Sequence, residues 1–350
     1  MRDNRSGTRF SFSLFIATLT LALILVMLWA LLSGSVFLTP LQAAEGFRFL
    51  IGRGGDEIAA ALLFKIRLPR LLLAVLAGAS LGSAGACFQG LFRNSLADPY
   101  IIGASSGAAL GAALAVSLGG LPALGFFSVL GLPGLFAFIG SLGAVLLAFF
   151  ISRVSGNAPS PLTLILAGTS ISAFCSALLA LILVMKDRSL VQVYYWLLGS
   201  LSGASWPRLF SALPFMVLGN AAIFLSVRPL DLLLQGEEAA QSLGLNPFKS
   251  RFFLAMAATL PVAAAVSVSG VIGFVGLVAP HASRFFTGPA HRRLLPASAL
   301  TGALLTLTAD TVSRSLIPPM ELPLGIICSL GGAPFFLFLL ARYRKPRGLL

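Results

Sequence analysis

Asp310 and Arg314 stand one helical turn apart in the run LTADTVSR, and Asp310 is the one acidic residue deep inside an apolar stretch of this 350-residue chain. A carboxylate at that depth could carry a proton or an ion, or pair with a second acid for hydrolysis. No second acid accompanies it, and Arg314 at i+4 is placed to neutralise it. His281 and His291 are the only histidines, and neither has a Cys/His/carboxylate cluster of the kind that holds a metal. Cys87, Cys175 and Cys328 fall in separate apolar segments, where they read as small packing residues. None of the lysines (Lys65, Lys186, Lys249 and Lys345) follows a glycine, so a G-x-x-x-x-G-K-[ST] phosphate loop is excluded. These residues argue against an enzyme and against a nucleotide, cofactor or metal site within the chain itself.

A second set of polar residues is spaced along RLPRLLLAVLAGASLGSAGACFQGLFRNSLADPYIIGASSGAALG, which runs from Arg67 to Gly111. Arg67, Arg70, Gln89, Arg93, Asn94 and Asp98 interrupt a sequence too apolar and glycine-rich for a soluble core. Such groups in a lipid-embedded protein mark entrances, gates or contact surfaces. Arg67, Arg70 and Arg314 stand at the outer ends of their segments. They either snorkel to anchor helices or present an outward cationic cluster to an acidic partner. Asn94, Ser95 and Leu96 are either turn formers or, with Ser160 and Pro161, a constriction at the inner end of a pathway.

The elements that must position these groups are membrane helices. Hydrophobic residues make up 57% of the chain, charged residues 10%, and mean hydropathy is +0.97. A soluble domain carries roughly 25% charged residues, and a spanning helix needs about 20 mostly apolar ones. Ten segments qualify, near 10–33, 71–90, 99–118, 134–152, 163–185, 208–227, 252–269, 271–286, 295–316 and 323–341, the eighth short enough to be a broken helix. Together they form one integral domain over residues 1–350, predicted all-α. The net charge of +13 is not a nucleic-acid signature, because basic residues gather in short loops and tails, as positive-inside asymmetry requires. Arg2, Arg5, Arg9, Arg93, Arg153, Arg228, Lys249, Arg251, Arg284, Arg292, Arg293 and the Arg342–Arg347 tail place both termini inside. The first apolar run is too long for a cleaved signal peptide.

Glycine pairs at Gly78/Gly82, Gly103/Gly107/Gly111 and Gly199/Gly203 predict close helix–helix approach. Residues 186–206, with Lys186, Asp187, Arg188 and an aromatic run, read as an interface helix. Residues 228–251 read RPLDLLLQGEEAAQSLGLNPFKSR. Here Glu237, Glu238 and Gln241 favour a short helix that Gly244 ends in a left-handed turn, with Leu243 and Leu245 on one side. That helix is either a projecting cytoplasmic knob or an ordinary loop helix.

The runs RLPR (67–70), QGLFRNSLADP (89–99), IIGASSGA (102–109), GFVGLVAPHASR (273–284), HRRLLP (291–296), LTADTVSR (307–314) and ELPLGIICSLGGAPFFLFLL (321–340) occur in order over nearly the whole chain. In these motifs the chain resembles the FecCD family, the permease subunits of ABC importers for ferric siderophores, haem and vitamin B12. Ser95 departs from the proline usual there. The resemblance implies a homodimer in the cell inner membrane, ten spans per subunit, and a translocation path at the two-fold interface. It further implies that Glu237–Asn246, including Gly244, Leu245 and Asn246, couples to a cytoplasmic ATPase dimer that holds the ATP and magnesium. It implies that Arg67, Arg70 and Arg314 meet a periplasmic or lipid-anchored binding protein, and that Asn94–Leu96 and Ser160–Pro161 narrow the cytoplasmic exit. The rival expectation is an ion-gradient-driven secondary transporter, for which Asp310 would be the carrier.

Overall fold

The computed structural model describes residues 5–34, 36–118, 130–154, 160–185 and 187–343. Arg2, Lys186 and the tail residues Arg344, Lys345 and Arg347 lie outside them, as do the side chains of Arg5, Arg9, Arg188 and Arg342. The described residues form fifteen α-helices and no sheet. In chain order these are α1 (Arg5–Leu32), α2 (Pro40–Leu50), α3 (Glu57–Ala61), α4 (Leu68–Phe92), α5 (Ala104–Ser117), α6 (Gly131–Val154), α7 (Pro161–Met185) and α8 (Asp187–Leu197). They continue as α9 (Trp206–Leu225), α10 (Val227–Gln235), α11 (Glu237–Ser242), α12 (Pro247–Ser269), α13 (Val275–Thr287), α14 (His291–Ser315) and α15 (Leu324–Tyr343). Each of the ten apolar segments falls on one of these helices. Six stretches are long and apolar enough to cross a bilayer, and α5 and α15 are shorter apolar helices.

The second segment differs most from its reading. Its helix starts far earlier than residue 71, because α3 runs through a π-helical turn at Leu62–Arg67 directly into α4. Apolar sequence alone could not reveal this, since Glu57 and Lys65 sit at the exposed beginning. The 18-residue apolar cores of this stretch and of α12 are both 78% buried, against 11% for α1 and 22% for α7. Thus α4 and α12 form the centre, and α1 and α7 stand at the periphery with their flanks exposed.

Small residues set which helices touch. A Cβ at Gly78 would strike the Gly302 carbonyl, and one at Gly82 the Ser298 carbonyl, so α4 and α14 run antiparallel with their backbones in contact. Gly107 and Gly111 bring α5 against Gly140 and Phe136 of α6 in the same way. In lipid, where apolar surface gains little by association, such contacts decide which helices pair. The Gly199/Gly203 pair behaves otherwise. Gly199 has φ 68° in the turn after α8, so it makes a loop rather than a helix interface. Between α12 and α13 the helix breaks over residues 270–274, just before the short eighth segment, with Gly270 at φ 68° and Phe274 itself left-handed at φ 66°.

These contacts yield an opposed pair of substitutions. Gly82→Ala drives a methyl into a backbone carbonyl and is expected to cost about 1–3 kcal/mol. Gly143→Ala on α6, where a Cβ meets open space, is expected to be neutral or slightly stabilising. Thermal unfolding in detergent separates the two; equal midpoints would overturn the assignment of α4–α14 as a backbone contact.

Candidate functional site

The polar residues collect at the two ends of the α4–α14 pair. α4 has 25 residues, which at 1.5 Å each spans about 37 Å, so the two clusters lie a membrane's depth apart.

At the first end, Arg70 stands in the first turn of α4 and reaches two acids. Its Nε donates to Asp310 Oδ1 at 3.0 Å, and its Nη1 donates to Glu321 Oε2 at 2.9 Å. Asp310 is 1% exposed, so its charge survives there only because the guanidinium fork is held against it. Arg314 was expected to neutralise Asp310. Its Nε is 3.7 Å away, so Arg70 is the closer partner and Arg314 the second. Arg314 donates to the Ala30 carbonyl, and Arg67 donates to the carbonyls of Leu31 and Val36. Two cations therefore cap the C-terminal end of α1, where helix carbonyls lack partners and the dipole favours positive charge.

The expectation of outward arginines needs correction on this point. Arg67, Arg70 and Arg314 do converge, but they are 5%, 7% and 5% exposed and already engaged. Three cations against two carboxylates still leave the cluster net positive. Glu321 escaped the sequence reading, although the chain holds only 11 acids against 24 basic residues. Asking which acid balances each intramembrane arginine would have found it.

At the opposite end, Arg93 takes a left-handed conformation at φ 50° to close α4, and its Nε donates to the Leu233 carbonyl of α10 at 2.8 Å. Gln89 Oε1 accepts from Arg284 Nη2 at 2.9 Å, tying α4 to α13. His291 Nδ1 lies 2.7 Å from Asp231 Oδ1, and the same oxygen accepts from the His291 backbone at 3.0 Å. Burial lowers the His291 pKa while Asp231 pulls it back up. The imidazole packs against Gly90, where any Cβ would collide with it. Asp231 and His291 thus join α10 to α14, a role that the sequence reading had not given them.

The segment after α10 holds the residues expected to couple. Glu237, Glu238 and Gln241 lie on the short α11, and Gly244 ends it at φ 81°. The Leu245 amide donates to the Ala240 carbonyl and the Gly244 amide to that of Gln241, satisfying the end of the helix. Asn246 then caps α12 by accepting from the Lys249 amide at 3.0 Å. Leu243 and Leu245 were expected on one side, but they diverge. Leu243 is 58% exposed, while Leu245 packs on the core. Glu237 pairs with the buried Arg251 at 2.6 Å, so it fastens α11 to α12.

The two segments read as an exit constriction each close on themselves. Asn94 Oδ1 accepts from the Leu96 amide at 2.9 Å, and the Ser95 backbone faces the His281 ring. Leu96 is exposed, whereas Ser160 caps α7 through the Thr163 amide at 3.1 Å, with Pro161 as its first residue.

The pairing at Asp310 predicts a cost. Arg70→Met strands a buried carboxylate and should destabilise by about 3–5 kcal/mol. Adding Asp310→Asn should recover part of that loss, as read by thermal unfolding in detergent. A single variant as stable as the wild type would refute the pairing.

Residues 21–342 match the FecCD transport family. The cobalamin import permease BtuC of Halobacterium salinarum is 42% identical, covering 85% of this chain and 77% of its own length. The hemin transport permease HmuU of Yersinia pestis is 41% identical, covering 94% of this chain and 97% of its own. The solved structure of a metal-chelate type ABC transporter in an inward-facing conformation superposes with a TM-score of 0.82 at 32% identity, covering 93% of this chain and 98% of that one. An all-helical bundle with apolar membrane-crossing stretches, bearing these motifs over almost its entire length, belongs to the FecCD transport family of ABC permeases.

Proposed function

We propose that this chain is the permease subunit of an ABC importer, working as a homodimer of ten-span subunits through which an iron chelate, haem or cobalamin crosses the cell inner membrane. A separate cytoplasmic ATPase dimer supplies the energy, and a binding protein delivers the cargo. The observation that carries this reading is the placement of two polar clusters at opposite ends of one glycine-packed pair, α4 and α14, within a chain that matches the family from residue 21 to 342.

In this reading α10 and α11 receive the ATPase, with Leu243 as the exposed contact. Glu237 and Leu245 hold that contact in shape from behind, through Arg251 and the core. Arg67, Arg70 and Arg314 lend a net positive field to the end that meets the binding protein, and their burial makes them a fixed charge rather than mobile hooks. Asn94, Ser95, Leu96, Ser160 and Pro161 narrow the exit. Both termini lie on the ATPase side. Raising a scarce cargo a thousandfold requires about 4 kcal/mol, which hydrolysis by the partner provides.

The secondary-transporter reading loses its main residue. Asp310 is held by Arg70 and approached by Arg314, so it is not a free carboxylate poised to take up an ion. Identity does not choose the cargo, since the cobalamin and hemin permeases lie within one percentage point of each other. The oxygen-rich iron chelates and the macrocycles therefore remain one proposed class.

Leu243→Ser is expected to leave the fold intact and to abolish ATP-driven uptake in vesicles that hold the permease, its ATPase and the binding protein. Unchanged uptake would remove the coupling role. The permease alone in vesicles should accumulate nothing against a gradient, and uphill transport without the ATPase would end the whole reading.

A further inference from the structure

We propose that the crevice between α1 and α14 is a binding site for an anionic phospholipid. Its phosphate would rest on Arg292 and Arg293, and one acyl chain would pass the stacked rings of Phe15 and Phe286 to reach the apolar groove between α1, α13, α14 and α15.

Arg292 and Arg293 occupy the first turn of α14, which contains no acid. Cations there oppose the helix dipole, whose positive end attracts anions. Among the described residues neither arginine makes an ion pair. Arg293 is instead held over the ring of Phe12 at 5.6 Å. Together with Phe12 and Ser13 of α1, the two arginines line a cavity of about 480 Å³. An anion in that cavity would relieve both the repulsion between the arginines and their conflict with the helix end.

Further along the same two helices lies an apolar groove of about 670 Å³, walled by Ala22 and Val26 of α1, Val278 of α13, Leu304 of α14, and Gly331 and Phe335 of α15. From Arg293 to Thr301 is roughly 12 Å along α14, and from Phe12 to Ala22 roughly 15 Å along α1, at 1.5 Å per residue. That separation suits a molecule with a charged head and a long apolar tail. The hydroxyls that line the groove are already spent. Thr301 pairs with Ser283 at 3.0 Å, and Thr308 donates to the Leu304 carbonyl at 2.7 Å. A polar cargo would find no partner there, whereas an acyl chain needs none. Basic pockets between spanning helices are the usual seats of acidic lipid headgroups.

Gly331 supplies a clean probe of the groove, since a Cβ built on it meets no atom within 4 Å. Gly331 lines the groove, so a leucine there projects its bulk from a backbone position that accepts a Cβ freely. The test is native mass spectrometry of the full chain in detergent, with an equimolar mixture of dioleoylphosphatidylglycerol and dioleoylphosphatidylcholine. The wild type should retain the anionic lipid with a preference of about thirtyfold, the expected effect of two arginines. Arg292→Gln with Arg293→Gln should bring that preference close to equality while the unfolding temperature without lipid does not fall, since the repulsion and the conflict with the helix end are removed too. Gly331→Leu should reduce adducts of both lipids alike and keep the headgroup preference in what remains. Three results would overturn the site: no headgroup preference in the wild type, a preference that survives loss of both arginines, or wild-type lipid adducts in Gly331→Leu. If that last result came with a changed oligomeric state, the groove would be assigned to a second copy of the chain.

Discussion

The backbone contact between α4 and α14 governs the arrangement of everything else. Gly78 and Gly82 let the carbonyls of Gly302 and Ser298 come within reach that any side chain would block. Two helices of 25 residues so joined cannot slide past one another without lifting side chains over backbone. Their ends therefore stay in register, and each polar cluster is assembled from both helices. Arg70 meets Asp310 at one end, and at the other Gly90 receives the ring of His291.

Each cluster extends to a third element. Arg67 and Arg314 hold the end of α1, and Arg93, Asp231 and His291 hold α10. α10 and α1 are thus joined to opposite ends of the same α4–α14 pair. This is a two-ended mechanical connection made from a handful of hydrogen bonds and ion pairs.

The legible part of this fold was written in composition and small residues. Ten apolar segments each became a helix because apolar length alone decides that outcome in lipid. Gly244 ended α11, and Gly270 broke the helix before α13, because positive φ leaves few other choices. What the sequence concealed were long-range partners. Arg70 looks like an outward cation until Glu321, 251 positions away, is seen beside it. Asp231 and His291, 60 positions apart, look unrelated for the same reason. Leu243 and Leu245 diverge because the turn at Gly244 reverses the chain between them, which no helical periodicity describes. The π-turn before Arg67 left no compositional trace.

The interruption between α12 and α13 carries a consequence for motion. Across residues 270–274 no regular ladder of amide bonds links the two helices, so α13 can tilt by changing a few dihedral angles without melting either one. Gln89 ties this half-helix to α4 through Arg284 and the Leu277 carbonyl, and Gly85 fits closely against Gly276. Beside a central pair locked by backbone contact, α13 is thus a segment jointed at its start by irregular backbone and held further along by Gln89 of α4 and Thr301 of α14.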